Sequence, residues 1–306
     1  MPPLSVPVDK DGFPLPRKLS SEPAPRAPRE LRPAPLWAKA AAGMLLVGGI
    51  AVLAALPAWR GGGGPGMARL RMNKAYAQFQ DGDLQGALRL LDKAHAAAPD
   101  DAEVVLFRGW LRLQAGDLAG SLHDLNRVQQ SHPRAREVYS RRSQVYQRLG
   151  RHAEAIADAT EALALAHPAD PEPYNNRAYA RAIAGVELEG ALDDVQRAIE
   201  FEPEPNAAYL DTRGYIYHLL ERHAEALEDL DQAIRLAEAE GPWGLRPSRA
   251  RHAAATEVDL RLHQEQLSVL YHHRGLVHQA LGHEEQAKRD LAKGQELGFN
   301  PEAGVY

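Results

Sequence analysis

Small side chains return at a period of about 34 residues from Ala68 towards the C-terminus, and larger apolar residues separate them at helical spacing. Three columns of positions share this property. The first holds Ala75, Gly109, Ser143, Ala178, Gly214 and Gly275. The second holds Ala87, Ser121, Ala155, Ala191, Ala226 and Ala287, and the third Ala94, Val128, Ala162, Ala198, Ala233 and Gly294. Small residues let two helices approach closely, and a helix pair of this length must stack on neighbours to bury its apolar face. The pattern therefore predicts an all-α solenoid of helical hairpins.

Larger side chains and prolines recur at the same period. The large-residue positions of the first helices read Arg71, Val105, Tyr139, Tyr174, Leu210 and Tyr271. The matching positions of the second helices read Leu91, Leu125, Ala159, Val195, Leu230 and Leu291. Pro99, Pro133, Pro168 and Pro203 close the first four units, because proline cannot continue a helix.

These columns resemble tetratricopeptide repeats. The resemblance covers residues 68–306 apart from an insertion at about 241–267, and it implies a right-handed solenoid of about six repeats. The repeats are placed at about 68–101, 102–135, 136–169, 171–205, 207–240 and 268–301.

Five of the repeats also share a charged pair. An arginine on the first helix is matched by an aspartate on the second, in Arg108 with Asp124, Arg142 with Asp158, Arg177 with Asp194, Arg213 with Asp229, and Arg274 with Asp290. A ligand site is seldom copied five times, whereas packing motifs always are. We therefore expect each arginine to hold the aspartate of its own hairpin through two hydrogen bonds.

The N-terminal fifth has a different character. Residues 1–36 are rich in proline and are expected to form a disordered tail. Residues 38–59 are predicted to form one transmembrane anchor helix, because Ala40–Trp59 carries no charge and tryptophans flank it. A cleaved signal peptide is the competing interpretation of this segment. Residues 60–67 then read as a glycine-rich linker. The expected location is the inner membrane of a bacterium, with one helix in the lipid bilayer and the repeats outside the cytoplasm, although the basic residues flanking the span are balanced.

Composition narrows the classes of function. The formal charge of −5 is carried by the repeats, because residues 1–67 are basic. An acidic repeat domain is a poor binder of nucleic acid, so no nucleic-acid partner is expected. The chain has no cysteine, which excludes disulfides and thiolate chemistry. It carries neither a metalloprotease helix nor a nucleophile elbow, so we expect no enzyme, no cofactor and no metal site.

The resemblance implies that the first helices line a concave groove for partner proteins or peptides. The candidate groove residues are Tyr76, Phe79, Trp110, Gln144, Asn175, Tyr179, Tyr215, His218 and His272. Aromatic residues at these positions suit the recognition of a segment of mixed polarity. The alternative is that the rings pack between neighbouring first helices.

The insertion interrupts the period and carries a second candidate contact, at Trp243 and Arg246. Thr256 is expected to cap a helix that continues into the sixth repeat. The insertion is interpreted either as a partner contact or as a solvent-exposed excursion. Two hypotheses follow for the whole chain: a membrane-tethered scaffold that supports a membrane or envelope complex, or an anchored periplasmic chaperone that binds unfolded clients.

Overall fold

The computed structural model describes residues 64–243 and 256–300. These residues form twelve α-helices and no strand. The helices are α1 (Gly64–Gln80), α2 (Leu84–Ala97), α3 (Ala102–Gln114), α4 (Leu118–Ser131), α5 (Arg136–Arg148), α6 (His152–Leu165), α7 (Pro171–Ala184), α8 (Leu188–Phe201), α9 (Ala207–Leu219), α10 (His223–Glu240), α11 (Glu257–Ala280) and α12 (Glu284–Glu296). A single 3₁₀ turn, Gly241–Trp243, follows α10.

The helices form six consecutive hairpins that correspond to the six predicted repeats. Each odd-numbered helix packs against the even-numbered helix that follows it, and that helix packs against the next hairpin. The predicted helical solenoid is therefore confirmed. The first helix begins at Gly64, inside the segment predicted to be a linker.

The small columns lie where two helices touch. Ala75, Ala87 and Ala94 have no exposed surface. A Cβ atom placed on Gly275 would lie only 2.8 Å from Cγ of Leu291 on the partner helix. The two buried serines of these columns donate hydrogen bonds across the hairpin, from Ser121 Oγ to the Gly109 carbonyl at 2.7 Å and from Ser143 Oγ to the Ala155 carbonyl at 2.8 Å. A small side chain at these positions is thus required by contact distance.

The five predicted arginine–aspartate pairs are all present. In every pair the arginine donates two hydrogen bonds, from Nε and Nη2, to the two carboxylate oxygens of the aspartate. Asp124 has no exposed surface and Arg108 is 6% exposed. The pairs link the two helices of one hairpin, which confirms a role in packing.

Most turns within the hairpins contain a glycine with a positive φ angle, for example 66° at Gly150. The fifth hairpin lacks this glycine, and Glu221 takes the left-handed conformation there with a φ of 61°. A side chain in this region costs roughly 1–2 kcal/mol. Glu187, in the turn of the fourth hairpin, also takes this conformation, with a φ of 49°.

The location predicted from the sequence is not supported. In residues 64–243 and 256–300, no helix combines the length and the apolar character that a membrane crossing requires. The expectation of a single-pass membrane protein is therefore wrong for this part of the chain, whose helices alternate apolar with charged positions. The predicted tail at 1–36 and the predicted anchor at 38–59 both lie outside the described residues.

Candidate protein-binding groove

The odd-numbered helices α1, α3, α5, α7, α9 and α11 form one continuous surface, which we call the inner face. Each of these helices contacts the odd-numbered helix of the next repeat, and α11 also contacts α1. Because the first and last odd-numbered helices meet, this surface lies on the inside of the curve. All nine candidate groove residues lie on these helices.

At the N-terminal end of the inner face, the aromatic candidates are packed together. The rings of Phe79 and Trp110 meet edge to face with 4.9 Å between centroids, and Phe107 stacks on Trp110 at 5.8 Å. Phe79 is only 2% exposed and Trp110 only 9%. These two rings therefore belong to a core cluster, as the packing alternative proposed. Tyr76 lies at the edge of the same cluster.

The first half of α11 covers this end of the inner face. Val258 is 1% exposed and belongs to the core cluster of α1, α2 and α3, and Leu262 packs against that cluster. The guanidinium carbon of Arg261 lies 5.8 Å from the centroid of the Phe79 ring. The insertion thus contributes a helix that returns to the first repeat, which sequence periodicity gave no means of predicting.

The middle of the inner face is more open. Gln144 on α5 is exposed, and Asn175 and Tyr179 on α7 are half-buried. The side-chain oxygen of Asn175 is buried and has no hydrogen-bond partner. Asn175 and Tyr179 are four residues apart, so they lie on the same side of α7. Gln144 therefore offers an exposed amide beside the two half-buried side chains of α7.

Beside this open region lies a charged residue that the sequence analysis did not select. Arg141 stacks its guanidinium on Trp110, with 5.1 Å from its carbon to the ring centroid. Burial lowers the pKa of Arg141 to about 10, although Glu172 and Glu137 act in the opposite direction. Burial also raises the pKa of Glu172. One feature of the sequence could have identified Arg141. It lies next to Arg142, and only Arg142 belongs to the column of arginines that pair with aspartates.

At the C-terminal end, Tyr215 lies between two histidines. Its ring stacks on His273 at 4.3 Å and on His218 at 6.4 Å. His273 is 1% exposed, and its Nδ1 lies 2.8 Å from a carboxylate oxygen of Asp211. His272 stacks on Phe299 at 3.7 Å. Burial lowers the pKa of His272 to about 4, with a further contribution from His273. Tyr215 therefore joins α9 to the last repeat, whereas His218 packs on Tyr215 of its own helix and His272 packs within the last repeat.

The candidate contact in the insertion is only partly described. Trp243 ends the 3₁₀ turn after α10, and Arg246 lies outside the described residues. Thr256 caps α11 as predicted, through a capping box in which Thr256 and Asp259 bond each other's backbone N–H groups. Among the described residues, no group of three or more histidine, aspartate or glutamate side chains is placed to hold a metal ion.

Comparisons with known proteins agree with this architecture. Family models described as tetratricopeptide repeat match residues 78–145, 137–166 and 207–240. The protein carries tetratricopeptide repeats. Proteins built from these repeats typically bind other proteins, and the scaffold seen here is consistent with such a role. No curated protein sequence matches the chain.

Solved structures of tetratricopeptide proteins share the fold. MamA from Desulfovibrio magneticus RS-1 is 21% identical with a TM-score of 0.50, and the match covers 58% of this chain and 99% of that one. A tetratricopeptide repeat protein from Parabacteroides merdae is 18% identical with a TM-score of 0.51, covering 78% of this chain and 96% of its own. PilW, a type IV pilus biogenesis factor, is 15% identical with a TM-score of 0.53, covering 77% and 96%. At these identities the similarity concerns the fold alone.

Proposed function

We propose that this tetratricopeptide protein is an interaction scaffold that binds a partner protein or peptide on the open middle of the inner face, at α5 and α7. Gln144, Asn175 and Tyr179 carry the contact. In this proposal the protein binds its partner and catalyses no reaction on it. The membrane location expected from the sequence forms no part of this proposal.

The observation that carries the proposal is the buried side-chain oxygen of Asn175, which has no hydrogen-bond partner on a surface that is otherwise accessible. Buried polar atoms in native structures are nearly always paired, and an unpaired one costs roughly 1–3 kcal/mol. Rotation of the half-buried Asn175 side chain on binding would present this oxygen to a backbone N–H of the bound chain. The exposed amide of Gln144 offers both a donor and an acceptor to the same chain.

The apolar part of the contact comes from Tyr179. A tyrosine ring offers a large contact area with few rotatable bonds, and its hydroxyl adds a polar tip. The combination of two amides and one phenol suits a backbone with side chains of mixed polarity. It does not provide the concentrated positive charge that a nucleic acid would require.

The test is affinity capture with the full chain and two matched variants. Tyr179→Ala with Gln144→Arg changes the open middle, whereas Arg197→Ala changes an exposed residue of α8, on an even-numbered helix. We expect the wild type and Arg197→Ala to recover the same partner in fixed stoichiometry. Loss of a central aromatic contact costs about 2 kcal/mol or more, so the double variant should bind about thirtyfold more weakly or worse.

Circular dichroism and thermal melting of each variant establish that the repeats remain folded. Equal recovery by the double variant and the wild type would exclude the open middle as the binding surface. Recovery of many unfolded proteins without fixed stoichiometry would instead favour the chaperone hypothesis.

A further inference from the structure

The hydrogen bonds that join α11 to its own hairpin partner α12 lie in the second half of α11. There Arg274 pairs with Asp290, and Gly275 faces Leu291. The preceding residues, 256–267, which we call the leading segment, extend beyond the repeat and reach α1 instead. A helix of the sixth repeat is thus used to cover the first.

The leading segment presents an apolar edge to the inner face. Val258 and Leu262 are four positions apart and therefore lie on one side of the helix. Val258 is 1% exposed within a cluster that includes Met72, Ala75 and Phe79. The opposite side carries Leu260, which is 46% exposed. The segment is an amphipathic helix with its apolar edge turned towards α1.

The N-terminal tip of the segment is also fixed against the first hairpin. The hydroxyl of Thr256 lies 3.4 Å from the side-chain oxygen of Gln80. A Cβ atom placed on Gly82 would lie 3.3 Å from Cβ of Glu257, so the tip rests on the turn between α1 and α2. The capping box of Thr256 and Asp259 closes the helix end within the segment. The helix therefore begins in a stable way without help from the inner face.

The charged contacts of the segment are poorly satisfied. The Nε and Nη2 atoms of Arg261 are buried without a hydrogen-bond partner, since Glu265 Oε1 lies 3.6 Å away. Desolvation raises the pKa of Glu265, and it lowers the pKa of Arg148, the basic residue of α5 that faces it. The side chains of Arg261 and Glu265 remain 36% and 45% exposed in this arrangement. The closed arrangement thus combines a well-packed apolar edge with charged groups that make few hydrogen bonds to the inner face.

From these contacts we infer that the leading segment is an internal ligand of the inner face. It occupies the surface of the first three repeats, and an external partner reaches that surface only by displacing it. The partner that fits is an amphipathic helix with two apolar residues four positions apart, a basic residue between them and an acidic N-terminal turn. This inference rests on the proposed function, because it assigns to the same inner face a second region and a means of regulating access to it.

The inference is tested with a synthetic peptide of residues 256–267 carrying a fluorescent label, so that no natural partner is needed. In the full chain, Val258→Asp with Leu262→Asp replaces both apolar contacts of the segment and opens the surface. Leu260→Asp is the matched control, because it introduces the same charge on the exposed side of the same helix. Fluorescence anisotropy then compares the affinity of the peptide for the three chains.

We expect the peptide to bind the opened chain at least about tenfold more tightly than the wild type or the Leu260→Asp chain. The reason is that the apparent affinity of a site is lowered in proportion to the fraction of molecules in which the site is open. A peptide carrying the same two aspartates should not bind any chain. Equal affinity for all three chains, or no binding to an opened chain that retains its helical content, would overturn the inference.

A second variant keeps the inference testable if the opened chain does not fold. Gly82→Cys with Glu257→Cys can fasten the segment to the first hairpin in a chain that has no other cysteine. Oxidation should exclude the peptide and reduction should return its binding to the wild-type level. Equal binding of the peptide to the oxidised and the reduced chain would contradict the inference that a partner must displace the leading segment. This assay does not involve Tyr179 or Gln144, so its result is independent of the capture experiment that tests the proposed function.

Discussion

The hydroxyl of Thr256 lies 3.4 Å from the side-chain oxygen of Gln80, although the two residues are 176 positions apart. This contact brings the start of α11 to the end of α1, so the last repeat meets the first. Solenoid repeats ordinarily touch only their neighbours in sequence. Here a long-range contact is added, and it is made by a segment that the repeat pattern does not include.

The first prediction concerns this contact. Gly82→Cys with Glu257→Cys places two Cβ atoms about 3.3 Å apart, close to the range of disulfides, which is about 3.5–4.5 Å. The bond would close a loop of most of the folded chain and should stabilise it by about 3–5 kcal/mol. The positive φ of 81° at position 82 offsets roughly 1–2 kcal/mol of this.

The measurement is the melting temperature under oxidising and reducing conditions, with each single cysteine variant as control. We expect a higher melting temperature only for the oxidised double variant. If the two thiols remain free under oxidation, the segment does not lie against the first turn as described.

The second prediction concerns the pair of Arg108 and Asp124. Asp124→Ala removes the carboxylate that Arg108 and Arg112 both contact, with distances of 2.7 to 2.9 Å. An arginine left buried without its partner costs about 3–5 kcal/mol. Asp92→Ala is the matched control, since Asp92 contacts Arg108 with a side chain that is 56% exposed and should contribute less than about 1 kcal/mol. Urea unfolding of both variants gives the two values, and similar losses would mean that the buried pair has no special role.

The third prediction uses two glycines within helices. Gly275→Ala places a Cβ atom 2.8 Å from Leu291 Cγ and 3.1 Å from the Leu291 nitrogen, so the hairpin must separate at a cost of about 1–3 kcal/mol. Gly190→Ala meets only the end of the Arg181 side chain, at 3.5 Å. It should stabilise the protein by about 0.5–1 kcal/mol, because alanine favours the helix. Denaturant unfolding distinguishes the two substitutions, and a gain in stability for both would show that the small columns are not set by contact distance.

The fourth prediction concerns pH. Burial lowers the pKa of His272 from 6.5 to about 4, so between these values the unfolded chain binds a proton that the folded chain does not. Stability from this residue is therefore present above pH 6.5 and is lost as pH falls towards 4. In this pH window, His272→Gln should lower the number of protons taken up on unfolding by up to about one. The slope of the unfolding free energy against pH should fall accordingly.

Unfolding free energies measured across that range provide the check, with His123→Gln as control because His123 is exposed. An unchanged slope for His272→Gln would mean that His272 is protonated equally in the folded and unfolded chains.

Much of the fold was predictable because its stabilising contacts are local and repeated. The three small columns and the five arginine–aspartate pairs each join helices within one hairpin, so a fixed spacing in sequence becomes a fixed contact in space. Thr256 was likewise predictable as a cap, since capping depends on the adjacent turn. The open middle of the inner face was only partly predictable. The expected groove on the first helices included Gln144, Asn175 and Tyr179, but also Phe79 and Trp110, which the structure buries.

The sequence by itself determined the class of fold, the number of hairpins and the pairs that hold each hairpin together, because these depend on contacts between residues of one repeat. Only the tertiary structure decided which part of the inner face is accessible. The curvature of the six hairpins brings α11 to α1, and curvature is the sum of small rotations at every repeat. No local sequence pattern determines that sum. The contact of Thr256 with Gln80 and the burial of Val258 beside Phe79 could therefore be found only in the folded chain.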